Sequence, residues 1–156
     1  MFRQARFYKV SFKEFVNSIK ELHTEFETAT MQQLIYNYNS ISLPYRMNEN
    51  SISYNIETPF PLYIQPMESI IVPTGIVCDI KKKYIFNIIK SNLLIEVESI
   101  YLIEPDYKDQ ILLRLTNLTD DTLKYNRNDI ICKGIFTKCE LAINDRIGRD
   151  YNNYDE

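Results

Sequence analysis

The sequence predicts an all-β domain, an antiparallel jelly roll or β-barrel, with an amphipathic helix added at its N-terminal side. Three observations predict it. From Ile41 to about Ile143 the chain is a succession of short segments rich in Ile, Val, Tyr and Leu. Turn signals separate them: Thr58-Pro59, Gln65-Pro66, Pro73-Thr-Gly75, Glu104-Pro-Asp106, Asp120-Asp121 and Asn126-Arg-Asn128. Strand and helix patterns do not alternate, which argues against a parallel α/β sheet. A chain of 156 residues is enough for one domain with a sizeable core. The expected division is a helical extension over 1–40, a β domain over 41–143 and a mobile tail over 144–156.

Taken in order, Phe7, Tyr8 and Val10 permit a terminal strand. Ser11-Phe-Lys-Glu14 has the form of a capping box, and Phe12, Phe15, Val16, Ile19 and Leu22 then fall on one helical face. The spacing predicts a helix over about 12–26. His23, the single histidine, stands near its end without a partner cysteine or second histidine, and reads as a surface residue compatible with the helix dipole. A second helix over 28–38 uses Met31, Leu34, Ile35 and Tyr38, and Tyr36, Tyr38 and Tyr45 read as packing residues. Strands are expected near 51–56, 62–64, 68–72, 75–80, 84–89, 93–102, 110–117 and 129–137. Pro105 and Asp106 favour a turn, so the segments on either side should pair as a hairpin.

Composition narrows the function classes. Apolar content of 45% and charged content of 25% are ordinary for a soluble globular protein. A formal charge of −3 argues against an extended nucleic-acid partner, and the one dense basic run, Lys81-Lys82-Lys83, reads as a solvated turn. Cys78, Cys132 and Cys139 are odd in number and lack metal-ligand spacing, which fits reduced thiols in a cytoplasmic protein. Neither a secretory segment nor a run of about 18 apolar residues is present. Abundant Ile, Asn, Lys and Tyr, with three glycines and no Trp, match an AT-rich genome such as that of a bacteriophage.

The candidate chemistry gathers at two places. Glu104, Asp106, Tyr107 and Asp109 share the predicted hairpin tip, offering carboxylates and a ring for stacking. Lys90-Ser91-Asn92 breaks an apolar stretch with a cation, a hydroxyl and an amide, a set that holds a phosphate or else forms a solvated strand edge. Gly-rich phosphate loops and the common hydrolase motifs are absent.

Four segments, in order, resemble motifs of the dUTPase family. Asn50-Ser-Ile-Ser-Tyr-Asn-Ile56 resembles the first, with Asn55 where a metal-linked aspartate stands. Lys90-Ser-Asn-Leu93 resembles the phosphate-gripping Arg-Ser-x-Leu. Tyr101-Leu-Ile-Glu-Pro-Asp-Tyr-Lys-Asp-Gln110 is similar to Gly-x-Ile-Asp-x-Asp-Tyr-Arg-Gly-Glu. There Tyr107 matches the ring that packs on deoxyribose, and Glu104 falls at the water-activating aspartate. Arg127-Asn-Asp-Ile-Ile-Cys-Lys-Gly134 resembles Gly-Asp-Arg-Ile-x-Gln, with Lys133 at the phosphate-binding glutamine. The resemblance implies a homotrimer with sites between subunits, and a base at Glu104. It also implies ligand contacts from Lys90, Ser91, Asn92, Tyr101, Tyr107 and Lys133, with Mg²⁺ accompanying any bound triphosphate.

The departures fall at the chemistry. Glu104 is a methylene longer than aspartate, Asn55 lacks a carboxylate, and Tyr101 and Asp109 replace glycines. The interval from Ser91 to Glu104 is short, and the tail segment Asp145-Arg-Ile-Gly-Arg149 lacks the Gly- and Ser-rich fifth motif. Three readings follow. One is a binding protein without efficient hydrolysis that holds a nucleotide-like ligand or a host protein, such as a phage counter-defence or regulatory factor. Another is an active divergent dUTPase or modified-deoxynucleotide pyrophosphatase. The third is a structural virion component.

Overall fold

The computed structural model describes residues 5–149. Strand β1 (Ala5–Lys9) is followed by helix α1 (Phe12–Leu22), a 3₁₀ turn at Thr24–Phe26 and helix α2 (Met31–Asn39). Eight strands follow among the described residues: β2 (Tyr54–Glu57), β3 (Leu62–Ile64), β4 (Ser69–Ile80), β5 (Tyr84–Lys90), β6 (Ile95–Ser99), β7 (Gln110–Asn117), β8 (Leu123–Tyr125) and β9 (Ile130–Lys138). They form sheets ordered β1-β4-β7-β6, β2-β9-β5 and β3-β8, every pairing antiparallel.

Alternation along β7 shows why the sheets face each other. Ile111, Leu113 and Leu115 are buried, while Leu112, Arg114 and Thr116 between them are only partly covered. Phe7 on β1 meets Phe86, Tyr54 and Phe136 of the three-stranded sheet, with ring centroids 5.2, 5.5 and 5.8 Å away. This aromatic cluster joins the two larger sheets. Because β1 is an edge strand of the main sheet, the two helices are an insert between strands.

The predicted helix 12–26 stops at Leu22. His23 is extended (φ −133°, ψ 96°), and its ring packs near Phe60 and Phe26, at 5.1 and 6.3 Å. Its Nε2 lies 2.7 Å from the Ile71 carbonyl, so that nitrogen carries the proton and donates it. His23 is therefore a largely covered docking residue, not the surface residue expected from the sequence. Phe15 and Ile19 of α1 are fully buried, each contributing about 1.5–3 kcal/mol. A capping box at Thr30 and Gln33 starts α2.

Two expected strands, 68–72 and 75–80, are one strand, β4. The register of β4 on β7 shifts between Pro73 and Val77, and this bulge absorbs Pro73-Thr-Gly75 without a turn. The Thr74 hydroxyl donates to the Ile111 carbonyl (2.7 Å), and Gly75 takes φ +73°. Tyr38 packs as expected, but Tyr36 is exposed and carries the Arg127 guanidinium 4.2 Å above its ring. The tail expected over 144–156 is described as far as Arg149, and its remainder lies outside the described residues.

Candidate functional site

The predicted hairpin forms between β6 and β7, with Ser99 opposite Leu113 and Ile95 opposite Asn117. At its tip the Tyr107 amide donates to the Glu104 carbonyl (3.0 Å), closing the turn that Pro105 and Asp106 favour. The Tyr107 hydroxyl donates to the Gln110 carbonyl, and Asp109 Oδ1 accepts the Gln110 amide at 2.7 Å. The Tyr101 ring stacks on Tyr107, with centroids 5.5 Å apart and planes 25° from parallel. Burial, then the nearby Asp109 carboxylate, then Tyr101, push the Tyr107 hydroxyl up to about 12. Tyr107 is thus held neutral and fixed, whereas Tyr101 is half exposed. Glu104 is partly covered, and Asp106 and Asp109 face solvent.

The second group lies on the other large sheet. Lys90 ends β5, and its ammonium donates to Glu96 Oε1 at 2.6 Å. Ser91 and Asn92 are exposed in the connection to β6, where Asn92 Oδ1 accepts the Leu94 amide (2.8 Å). Lys133 lies exposed on β9, in register with Asn55 of β2 and Ile89 of β5. Lys90 instead pairs with Cys132, so strand alternation sends Lys90 and Lys133 to opposite faces of the sheet.

The two groups do not converge within one chain. The Phe86 amide donates to the Ile103 carbonyl (3.0 Å), placing the hairpin tip beside the start of β5. Lys90 stands four residues further on, about 13 Å along the strand.

Asn55, at the position of the metal-linked aspartate, is 2% exposed, and its Nδ2 has no hydrogen-bond partner among the described residues. An orphaned donor there suits an acceptor atom and does not suit a cation. No three His, Cys, Asp or Glu side chains among the described residues come together to hold a metal ion. The described residues of one chain therefore do not by themselves form a site for a protein-bound Mg²⁺.

Sequence reasoning missed Gln110, which is only 3% exposed. Its Oε1 accepts the Gly75 amide (2.9 Å) and its Nε2 donates to Ser18 Oγ on α1 (2.6 Å). Its place at the end of the third motif was the one local signal. Arg127, the first residue of the segment that resembles the fourth motif, was given no role by the sequence. It donates to Asn37 Oδ1 and the Pro59 carbonyl, at 2.6 and 2.7 Å, tying the β8–β9 turn to α2.

The antiparallel sheets and the hairpin with its stacked tyrosines define a small all-β domain, and comparison with known proteins gives its family. The dUTPase family model matches residues 39–153, and the chain belongs to that family. No curated protein matches the sequence. Among solved structures, a mutant dUTPase of Staphylococcus phage 80alpha is similar at 10% identity, with a TM-score of 0.66 over 96% of this chain and 92% of that one. The dUTPase of phage phi11 of S. aureus has a TM-score of 0.61 at 12% identity, over 70% of this chain and 91% of that one. The Streptococcus mutans dUTPase is 18% identical with a TM-score of 0.57, over 67% and 90% of the two chains. At such identities the structural likeness speaks for the fold.

Proposed function

We propose that this protein is a nucleotide-binding member of the dUTPase family that hydrolyses dUTP feebly or not at all. The observation that carries the reading is the asymmetry between the hairpin and the chemistry around it. Tyr107 is held by its hydroxyl and half covered, a rigid platform for a sugar or base. The base position holds the longer Glu104, Asn55 buries an amide in place of a carboxylate, and Tyr101 stacks where the family has glycine. A base displaced by about 1 Å from its water costs on the order of 100-fold.

The ligand is a nucleoside triphosphate or a related nucleotide, held in a homotrimer of the host cytoplasm. The hairpin of one subunit and the Lys90–Asn92 and Lys133 segments of neighbours would supply the two halves that one chain keeps apart. Lys133 and Lys90, on opposite faces, would then serve different phosphates or different sites. Mg²⁺ would arrive on the phosphate oxygens of the ligand. The active-enzyme reading is favoured by family membership and by the carboxylate that Glu104 keeps at the turn.

The purified full chain incubated with dUTP and a panel of deoxynucleoside triphosphates, and read by nucleotide chromatography, separates the two. Turnover well below about 1 per second with measurable calorimetric binding is expected; turnover at or above that rate overturns the proposal. Tyr107→Ala should weaken binding by about 1–3 kcal/mol if the ring stacks on the ligand. Glu104→Asp should not restore rapid turnover, because the base is one of several altered parts.

A further inference from the structure

A buried side chain, Gln110, ties helix α1 to the β6–β7 hairpin. Gln110 opens β7, and its backbone carbonyl accepts the Tyr107 hydroxyl. Its side-chain amide has two partners of opposite polarity. The Gly75 amide at 2.9 Å donates and so requires Oε1. Ser18 commits its own proton to the Glu14 carbonyl (2.9 Å), so its oxygen is free to accept, and it requires Nε2 at 2.6 Å. The amide can satisfy both partners in one orientation only. Ser18, 92 residues earlier in the chain, thus joins the Gly75 amide and the pairing of Gln110 with Val77 in holding Gln110, whose carbonyl anchors Tyr107. A cleft of about 490 Å³, lined by Glu14, Asn17, Ser18, Lys108, Asp109 and Gln110, otherwise separates α1 from this turn, and the Ser18–Gln110 bond spans it.

We infer that the helical insert is a positioning element of the ligand site, in which Ser18 holds the Gln110 side chain and thereby sets the placement of Tyr107. This rests on the proposed nucleotide site for its functional consequence, but the coupling itself does not. Ser18 and Gln110 act in this proposal as positioning residues, through Tyr107. A buried polar group is costly to leave unpaired, so removing the serine oxygen strands Nε2 and frees the amide to rotate. The turn from Glu104 to Gln110 then loses its tie to α1 while keeping the Gly75–Gln110 and Phe86–Ile103 bonds, and the α1 residues Phe15 and Ile19 stay packed. Loosening should remain local, as expected for a hairpin tip held by few contacts.

The test uses the full chain as wild type, Ser18→Ala and Ser18→Thr. Amide hydrogen exchange in Ser18→Ala should quicken about tenfold at Tyr107, Gln110 and Gly75, with the β5–β9 ladder unchanged. Ser18→Thr, which keeps an oxygen able to bond both ways from a helix, should restore wild-type protection. Unchanged exchange in the turn, uniform quickening across the whole sheet, or failure of the threonine to restore protection would each overturn the inference. Calorimetric titration with dUTP then reads the consequence, and its Kd should rise several-fold in Ser18→Ala. An unchanged Kd beside a loosened turn overturns the positioning role. If wild type binds neither dUTP nor any triphosphate of the panel, the nucleotide reading of the site falls, and the exchange arm alone decides whether Ser18 controls the turn.

Discussion

Gly75→Ala, at a buried position inside β4, should destabilise this protein, and the cost can be built from the structure. Gly75 sits at φ +73°, a left-handed conformation that costs a residue with a Cβ about 1–2 kcal/mol. An added Cβ would fall inside contact distance of Ile41 Cδ1, with Ile41 Cγ1 at 3.1 Å and Phe15 Cδ1 at 3.2 Å. Ile41 is 5% exposed and Phe15 fully buried, so neither yields freely, and overpacking adds about 1–3 kcal/mol. The sum is about 2–5 kcal/mol, or about 4–20 °C in Tm for a domain of this size. Because one methyl causes the worst contact, Ile41→Val removes it. Alone, that change should cost about 1 kcal/mol; beside Gly75→Ala it should be neutral or stabilising. Thermal and urea unfolding of the four proteins form a double-mutant cycle, with an expected coupling of at least about 1 kcal/mol. A Tm loss under about 2 °C for Gly75→Ala, or additivity within about 0.5 kcal/mol, would refute the reasoning.

Arg127→Lys should cost about 1–3 kcal/mol in urea unfolding. A lysine cannot stack on Tyr36 while serving both the buried Asn37 Oδ1 and the Pro59 carbonyl. Burial pushes the Cys78 thiol up to about 12 and raises that of Cys132 as well, so a thiol reagent at pH 8 should modify only Cys139 in the native protein and all three cysteines in denaturant. The Tyr107 hydroxyl is held near 12 when folded against about 10 unfolded, so the native state binds its proton more tightly. Its contribution to stability is complete below about pH 10 and falls away as pH rises toward 12, and Tyr107→Phe should flatten that part of the stability curve.

Much of the architecture was legible because it rests on local chemistry. Pro105 and Asp106 announce the hairpin turn, and alternation along 110–117 announces its inner face. Where the sequence misleads, a distant contact is responsible. Pro73 and Gly75 look like a turn, but Thr74 bonds to Ile111 and Gly75 to Gln110, so the chain bulges and continues as one strand. His23 looks like a surface residue until the Ile71 carbonyl, 48 positions away, is in view. The candidate site divides in the same way. Tyr101 and Tyr107 do come together, at a spacing that suggests no contact by itself. Lys90 and Lys133 read as companions, yet strand parity, set by pairing with Cys132 and Ile89, turns them apart. The Ser18–Gln110 bond has no local signature at all.

The half of β4 that β1 does not reach carries a further consequence. Among the described residues β1 pairs with Ile76–Ile80 alone, and β4 begins seven residues earlier, at Ser69. A strand flank rich in Ile and Val that no other strand covers is a template onto which a stray chain can add itself, seeding aggregates. The end of α1 lies against this flank, and His23 occupies the Ile71 carbonyl with a side chain that cannot extend a ladder. The insert thus also works as a guard rail. A chain lacking residues 11–40 would present a sticky border to its copies, and its solubility during refolding at high concentration would suffer before its fold did.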